Sequence, residues 1–315
     1  MKYRRLGDTG LKVSVVGLGS NQFGGKVSSE EVREILAVAA DCGINFVDTA
    51  DIYQGGASET AIGEALKGRR DDFVVATKVG LEAGNGPNDR GASRRHILDS
   101  VRRSLRRLGT DYIDLYQMHT WDDETPPEET LRTLDDLVSS GTVRYIGVSN
   151  WNAWQLCLGA GLAESRGWSR IASVQPHYNL LAWQVEEELI PCCRHFGVGV
   201  IPYFPLAGGF LTGKYRRGEA APEGSRGESS EYVQRFLAEP YYDVMEQLEE
   251  YAGVCGFSPG QLAIAWLLAQ PQVASVIAGV TSIDHLEENA GAANWGMTYE
   301  EERKIRGIVE RAGRT

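Results

Sequence analysis

The chain has 315 residues, 42% hydrophobic and 24% charged, enough to bury a large core. Its 32 basic against 43 acidic residues give a formal net charge of −11, which disfavours nucleic acid or an anionic membrane as the main partner. The longest apolar run, residues 262–269, is far short of the roughly 18 residues that a membrane span requires.

The start, Met1-Lys2-Tyr3-Arg4-Arg5, lacks the apolar core of a signal peptide. The five cysteines are scattered apart from Cys192-Cys193 and have neither zinc-site spacing nor disulfide-scaffold density. A cytoplasmic protein with reduced thiols and no metal site is expected. In chain order, Gly7-Asp8-Thr9-Gly10 turns between residues 2–6 and 11–14, predicting a hairpin. Residues 15–19 read as a first strand and 29–41 as its helix, with Ser29 as N-cap, Glu30 and Glu31 at the positive end of the dipole, and Gly43 as the stop.

The next three strands each end on a polar residue. Ile44-Asn45-Phe46-Val47 runs out at Asp48, Phe73-Val74-Val75-Ala76-Thr77 at Lys78, and residues 112–118 at His119. Helices are predicted over 58–67 and 93–108, the second with Ile97, Val101, Leu105 and Leu108 on one face and six arginines on the others, which is the pattern of a surface helix. Alternation continues with a helix over 127–139, a strand over 143–148, a helix over 153–164, a strand over 172–175 and a helix over 185–195. A strand over 198–202, helices over 241–255 and 259–269, and a strand over 273–278 complete the series.

Eight strands joined by helical crossovers predict an α/β fold, a (β/α)8 TIM barrel formed as a single domain over residues 1–315. The hairpin precedes it, and a C-terminal helix over 299–311 is expected to lie over the barrel. A doubly wound dinucleotide fold is the competing architecture. Its fingerprint is missing, because Gly17-Leu18-Gly19-Ser20-Asn21-Gln22 places Gln22 where the third glycine belongs. The glycine-rich, charged stretch 207–231 is long for a connection inside a compact domain, which marks it as a lid or binding loop.

Parallel strands of a barrel open their carboxyl ends on one face, so Asp48, Tyr53, Lys78 and His119 are expected to converge there. A phenol is a poor acid at neutral pH, and a lysine ammonium beside it favours release of its proton. Asp48 paired with Lys78 would keep that ammonium charged, and His119 adds a hydrogen-bond donor that could orient a carbonyl oxygen. Taken singly, a strand-end Lys–Asp pair or a lone histidine is more often structural than functional. Their occurrence on consecutive strand ends favours the functional reading.

The run from Gly43 through Asp48-Thr49-Ala50-Asp51-Ile52-Tyr53 to Ser58-Glu59, with Ala76-Thr77-Lys78 and residues 111–119, resembles the signature of the aldo-keto reductase superfamily. The resemblance covers essentially the whole chain. It implies a barrel that binds NADPH across its mouth and reduces aldehydes or ketones, with Asp48, Tyr53, Lys78 and His119 as the catalytic tetrad and Tyr53 as proton donor. By the same resemblance Ser149, Asn150 and Gln175 would hold the nicotinamide carboxamide, and Tyr203 would stack on the nicotinamide ring. Leu206, Gly208 and Lys214 would meet the pyrophosphate. Ser20 and Asn21 would contact the cofactor, Arg226 would reach the adenosine end, and Glu288 and Asn289 would bind adenine. Gly279 and His285 stand where many NADPH-preferring relatives carry lysine and arginine, and Asp284 adds the wrong sign for a 2′-phosphate. NADPH is therefore expected, with NADH or dual use within reach.

Phe23, Trp121 and Trp151, in the loops after strands one, four and five, either wall a pocket for a small carbonyl substrate or pack as ordinary core residues. The sequence resembles bacterial members that act on small aldehydes, methylglyoxal-like dicarbonyls or sugar-derived carbonyls. Two other readings come from the same family: a cofactor-binding regulatory subunit like the potassium-channel β subunits, which the resemblance implies would carry asparagine in place of His119, and a net alcohol or sugar dehydrogenase.

Overall fold

The computed structural model describes residues 1–312. Strands β1 (Tyr3–Arg5) and β2 (Lys12–Ser14) form the antiparallel hairpin, with Tyr3 opposite Ser14. Eight parallel strands follow. These are β3 (Val16–Gly19), β4 (Phe46–Asp48), β5 (Val74–Val79), β6 (Ile113–Met118), β7 (Val143–Ser149), β8 (Ile171–Gln175), β9 (Gly199–Val200) and β10 (Val276–Gly279). Their order is β10-β3-β4-β5-β6-β7-β8-β9. The ladder closes on itself because Val200 N donates to Gln272 O at 2.9 Å, Ala274 N to Val200 O at 2.8 Å and Ile277 N to Pro202 O at 3.0 Å. The expected (β/α)8 barrel is thus present.

Closure buries both faces of the sheet, which is why the strands read as near-continuous apolar runs. Side chains of a strand alternate between faces. Phe46, Val74, Ala76, Leu115, Ala172, Ile201, Ala274 and Ile277 fill the barrel interior together with Leu6 and Val13 of the hairpin. A larger apolar shell lies between the sheet and the surrounding helices. The hairpin is the floor: Leu6 and Val13 are fully buried, and Asp8 N donates to Gly197 O at 2.8 Å. Gly7, at φ 56°, passes so close to this end that a Cβ would meet Gly197 O at 2.4 Å.

The helices are α1 (Ser29–Asp41), α2 (Ala57–Ala65), α3 (Arg94–Leu108), α4 (Pro127–Ser139), α5 (Ala153–Arg166) and α6 (Leu189–Phe196). After them come α7 (Arg226–Ser229), α8 (Glu231–Gln234), α9 (Glu239–Val254), α10 (Pro259–Leu268), α11 (Ile283–Gly291) and α12 (Tyr299–Ala312). Ser28 rather than Ser29 caps α1, because Glu31 lies three residues on and completes a reciprocal box: Glu31 N donates to Ser28 Oγ at 3.3 Å and Ser28 N to Glu31 Oε2 at 2.8 Å. α3 ends at Gly109, whose φ of 63° no β-branched residue would accept.

Several boundaries differ from the expected ones for identifiable reasons. Pro202 has no amide hydrogen, so β9 is short. Proline is tolerated only in the first turn of a helix, and Pro191 accordingly sits in the first turn of α6; residues 184–186 form a separate 3₁₀ turn. The stretch 207–231 is partly ordered into a 3₁₀ segment, Ala207–Thr212, and the short helix α7. Its Arg216 pairs with Glu249 of α9, and Arg217 with Asp243 and Glu246 of the same helix. Helix α11 was not among the expected elements, although Ser282 caps it by accepting from His285 N. The C-terminal helix α12 is seated on α9, and its Arg306 bonds Glu186 and Glu302 while lying over the rings of Trp183 and Trp266. Among the described residues, no helix is long and apolar enough to cross a membrane.

Leu6 is the apolar stopper of the barrel floor, so Leu6→Ala should cost about 2–5 kcal/mol of unfolding free energy. Urea titration measures it; a loss under about 1 kcal/mol would show that the floor can collapse into the gap.

Candidate active site

Inward-facing positions change character as the strands climb. On β4 Phe46 gives way to Asp48, on β5 Val74 and Ala76 give way to Lys78, and on β6 Leu115 gives way to Gln117 and then His119. The two-residue period of a strand puts all of these on the barrel axis, and the register aligns Asp48 with Ala76 and Lys78 with Gln117. A polar layer therefore sits on the apolar interior.

At its centre is a fully buried ion pair. Lys78 Nζ lies 2.5 Å from Asp48 Oδ2, and it also donates to Thr49 O at 2.9 Å and to the Tyr53 hydroxyl at 3.3 Å. The other Asp48 oxygen accepts from Gln117 Nε2 at 3.0 Å and Gln175 Nε2 at 2.9 Å. Every hydrogen of the ammonium thus has a partner. Burial alone would pull the Lys78 ammonium down, yet Asp48 and Tyr53 outweigh it and hold the group above its ordinary range. Removing one member of a buried pair strands the other.

Tyr53 opens a 3₁₀ turn, Tyr53–Gly56, beyond β4. Its ring meets the His119 ring edge-on with centroids 5.9 Å apart. His119 is fixed through its backbone: its N donates to Val79 O at 2.7 Å and its O accepts from Asn150 Nδ2 at 2.9 Å. Burial and then the Lys78 charge push its imidazole from 6.5 down to about 3. His119 is a neutral ring at physiological pH, able to offer one N–H. Glu59, part of the same sequence signature, is a support: fully buried, it accepts from Thr77 Oγ1 and Arg107 Nε, both at 2.6 Å, and ties α2 to β5 and α3.

A cavity of about 790 Å³ opens above this layer. Asp48, Tyr53 and His119 line its deep end, with Lys78 behind them. Ser149, Asn150, Gln175 and Tyr203 form the adjoining wall, where the Tyr203 hydroxyl donates to Asn150 Oδ1 at 2.9 Å. Ser20 and Asn21 lie opposite; Ser20 Oγ donates to Asp48 O at 2.8 Å, joining β3 to β4. The far arm is lined by Leu206, Gly208 and Lys214, then by Arg226, Gly279, His285, Glu288 and Asn289. The fold brings all of these sequence-derived positions to one space.

Phe23, Trp121 and Trp151 are different, and none of them lines the cavity. Phe23 is fully buried in the shell between sheet and helices, and Trp151 packs over Gly159, where a Cβ would meet its ring at 2.8 Å. Trp121 is half-buried and meets Trp151 and Trp154 edge-on. Those two buried rings are core packing, because the loops that carry them turn inward. Sequence reasoning also missed Gln117, which only its two-residue spacing from His119 could have revealed, and Lys26, Ser225 and Thr281 on the cavity wall.

The wall fits an extended dinucleotide. Asn289 Nδ2 and Ser225 Oγ are buried without a protein partner, as donors awaiting a ligand would be. A Cβ at Gly279 would project into open space, and Gly208 and Gly209 hold φ of 70° and 102° where the chain must approach closely. The non-glycine residues with positive φ, Gln54, Asn150, Phe204 and Ala207, cluster here too. Backbone strain of that kind is held at functional sites when the surroundings over-determine it. A second hollow, about 430 Å³, lies at the amino ends of the strands, where Tyr112 is flanked by Arg70 and Arg144 and donates to Asp71.

Lys78→Met should destabilise the fold by about 3–5 kcal/mol, and adding Asp48→Asn should recover part of that loss. A urea-based double-mutant cycle checks it; strictly additive losses would contradict the coupled pair. His119 gives a second test. Its folded value lies below the unfolded one, so its stabilisation is complete above 6.5 and drains away as pH falls toward 3. Between about pH 7.5 and about pH 4, wild type should lose more stability than His119→Gln, and parallel curves would argue against a buried neutral ring.

The aldo/keto reductase family profile matches residues 15–310. Over 302 residues, 93% of this chain and 92% of the relative, the sequence is 37% identical to a protein of Arabidopsis thaliana named "Probable voltage-gated potassium channel subunit beta". It is also 37% identical to "Versiconal hemiacetal acetate reductase" of Aspergillus parasiticus over 327 residues, covering 96% of this chain and 95% of that one. Together with the barrel, the buried Asp48–Lys78 pair beneath Tyr53, and the cavity above them, these matches show that the chain belongs to the aldo/keto reductase family.

Proposed function

We propose that the protein reduces aldehyde or ketone carbonyls with NAD(P)H, with Tyr53 as the proton donor. The observation that carries this reading is the Tyr53 hydroxyl 3.3 Å from an ammonium that is fully buried and locked by Asp48. As the phenol gives its proton to the carbonyl oxygen, Lys78 stabilises the phenolate left behind. The neutral His119 ring directs an N–H at the same oxygen and fixes its approach between Tyr53 and the Tyr203 side of the cavity. The bound nicotinamide supplies the hydride.

The chain's own residues set where that ring lies. Ser149, Asn150 and Gln175 present short neutral donors and acceptors suited to a carboxamide, and Tyr203 offers a flat face. Lys214 and Arg226 favour a phosphorylated ligand along the far arm. NADPH is the proposed cofactor; because no lysine or arginine stands at Gly279 and His285, NADH or dual use stays within its reach. The relatives named as channel subunits support a second reading, a slow cofactor-retaining subunit. The same geometry run backwards would oxidise an alcohol.

The test follows nicotinamide absorbance with a reactive generic aldehyde, using NADPH and NADH in parallel. Tyr53→Phe should lower turnover by about 100-fold to 10,000-fold while cofactor affinity changes by no more than about twofold. Retained turnover in Tyr53→Phe would remove Tyr53 as the donor. Tight cofactor binding with negligible wild-type turnover would favour the subunit reading.

A further inference from the structure

His177 follows β8 by two residues and belongs to no part of the mechanism above. Its backbone bridges to Tyr203, and its ring stacks on the Tyr203 ring with centroids 5.5 Å apart and an interplanar angle of 25°. Tyr203 lines the cavity and His177 does not, so the imidazole backs the face of the phenol ring turned away from the ligand space. A tether at the other end comes from the Tyr203 hydroxyl, which donates to Asn150 Oδ1.

The imidazole is itself held in plane. Its Nε2 lies 2.7 Å from the Tyr232 hydroxyl and 3.2 Å from Asn179 Nδ2. Asn179 Oδ1 accepts from Leu181 N at 2.9 Å, which fixes the amide so that its NH₂ group faces His177 and the carbonyl of Phe204, 2.9 Å away. Asn179 Nδ2 also lies 3.3 Å from the Tyr232 hydroxyl, so the three side chains form one connected hydrogen-bonded cluster around Nε2. Burial and then Arg235 hold this imidazole below its ordinary range, in keeping with the neutral form. Tyr232 also stacks on Phe204 at 5.5 Å and 26°. Phe204 occupies a left-handed backbone conformation at φ 54° directly after Tyr203. The strained turn that presents Tyr203 is thus gripped from beneath by His177, Asn179 and Tyr232.

We propose that His177 is the positioning residue for Tyr203, holding its ring at the angle at which a nicotinamide ring can lie against it. The proposal rests on the reading of Tyr203 as the nicotinamide-stacking residue. A side chain that backs an aromatic platform acts on the part of a ligand that touches that platform and not on remote parts.

The experiment measures dissociation constants by intrinsic-fluorescence quenching for NADPH and for 2′-phospho-ADP-ribose, which lacks the nicotinamide. The proteins are wild type, Tyr203→Ala, His177→Ala, His177→Phe and the Tyr203→Ala/His177→Ala double variant. Tyr203→Ala and His177→Ala should each weaken NADPH by about threefold to tenfold and leave the fragment unchanged. His177→Phe, which restores a flat ring, should recover most of the affinity, and the double variant should be no worse than Tyr203→Ala alone. If Tyr203→Ala weakens NADPH while His177→Ala does not, the proposal is overturned and the reading of Tyr203 stands. Equal weakening of NADPH and the fragment in His177→Ala would make the residue merely structural and overturn the proposal as well. No effect of Tyr203→Ala would overturn the stacking reading itself. Should His177→Ala fail to fold, failure of His177→Phe to bind NADPH near wild-type affinity while it still binds the fragment would overturn the proposal.

Discussion

A lysine ammonium and a carboxylate share the buried upper interior of a barrel, and the architecture around them follows from that constraint. Two bare charges in so poorly polarisable a medium cost several kcal/mol each to desolvate. The chain offsets this by completing both coordination shells. Asp48 accepts from Lys78, Gln117 and Gln175, which come from β5, β6 and β8, and Lys78 reaches the Thr49 carbonyl and the Tyr53 hydroxyl. Neighbouring and distant strands must therefore keep register for the pair to exist. The apolar layer beneath it, from Phe46 to Ile277, excludes the water that would weaken the attraction.

Much of this was legible in the sequence because a parallel barrel leaves a simple trace: apolar runs that end in polar residues. Asp48, Lys78 and His119 announce themselves in that way, and the fourteen positions assigned to cofactor contact all line the same cavity. Gln117 did not stand out, since a glutamine inside a strand looks like an interruption until the two-residue period is followed inward from His119. The aromatic loop residues were harder. A loop has no period, so nothing in the sequence says that Phe23 turns into the core or that Trp151 lies on Gly159. The four-residue helices α7 and α8 escaped for a related reason, being too brief to show a periodic face.

The cavity wall shows a division of labour between rigidity and accommodation. Positions at its deep end are held by strand hydrogen bonds and by side chains that bond one another, such as Tyr203 to Asn150 and Ser20 to the Asp48 carbonyl. Along the far arm one side of the lining, with Leu206, Gly208, Lys214 and Arg226, is borne by the stretch between β9 and α9, which is fastened to α9 by Arg216 and Arg217 through exposed ion pairs; the other side comes from β10 and α11. Exposed pairs contribute little and weaken with salt. The reacting end is built as part of the core, and one side of the recognition end as a segment clipped on from outside.

The hairpin floor has a consequence for proton traffic. Leu6 and Val13 close the amino end, and the interior above them is apolar up to Asp48 and Lys78 apart from the buried hydroxyls of Ser173 and Ser275. Those two hydroxyls have no hydrogen-bond partner and form no continuous path through such a plug. Under the proposed chemistry, a proton that leaves Tyr53 has to be replaced through the mouth, the opening by which the alcohol departs. Recharging the donor and releasing the product then become successive uses of one doorway, so whatever slows exit also sets how soon the phenol is ready for the next carbonyl.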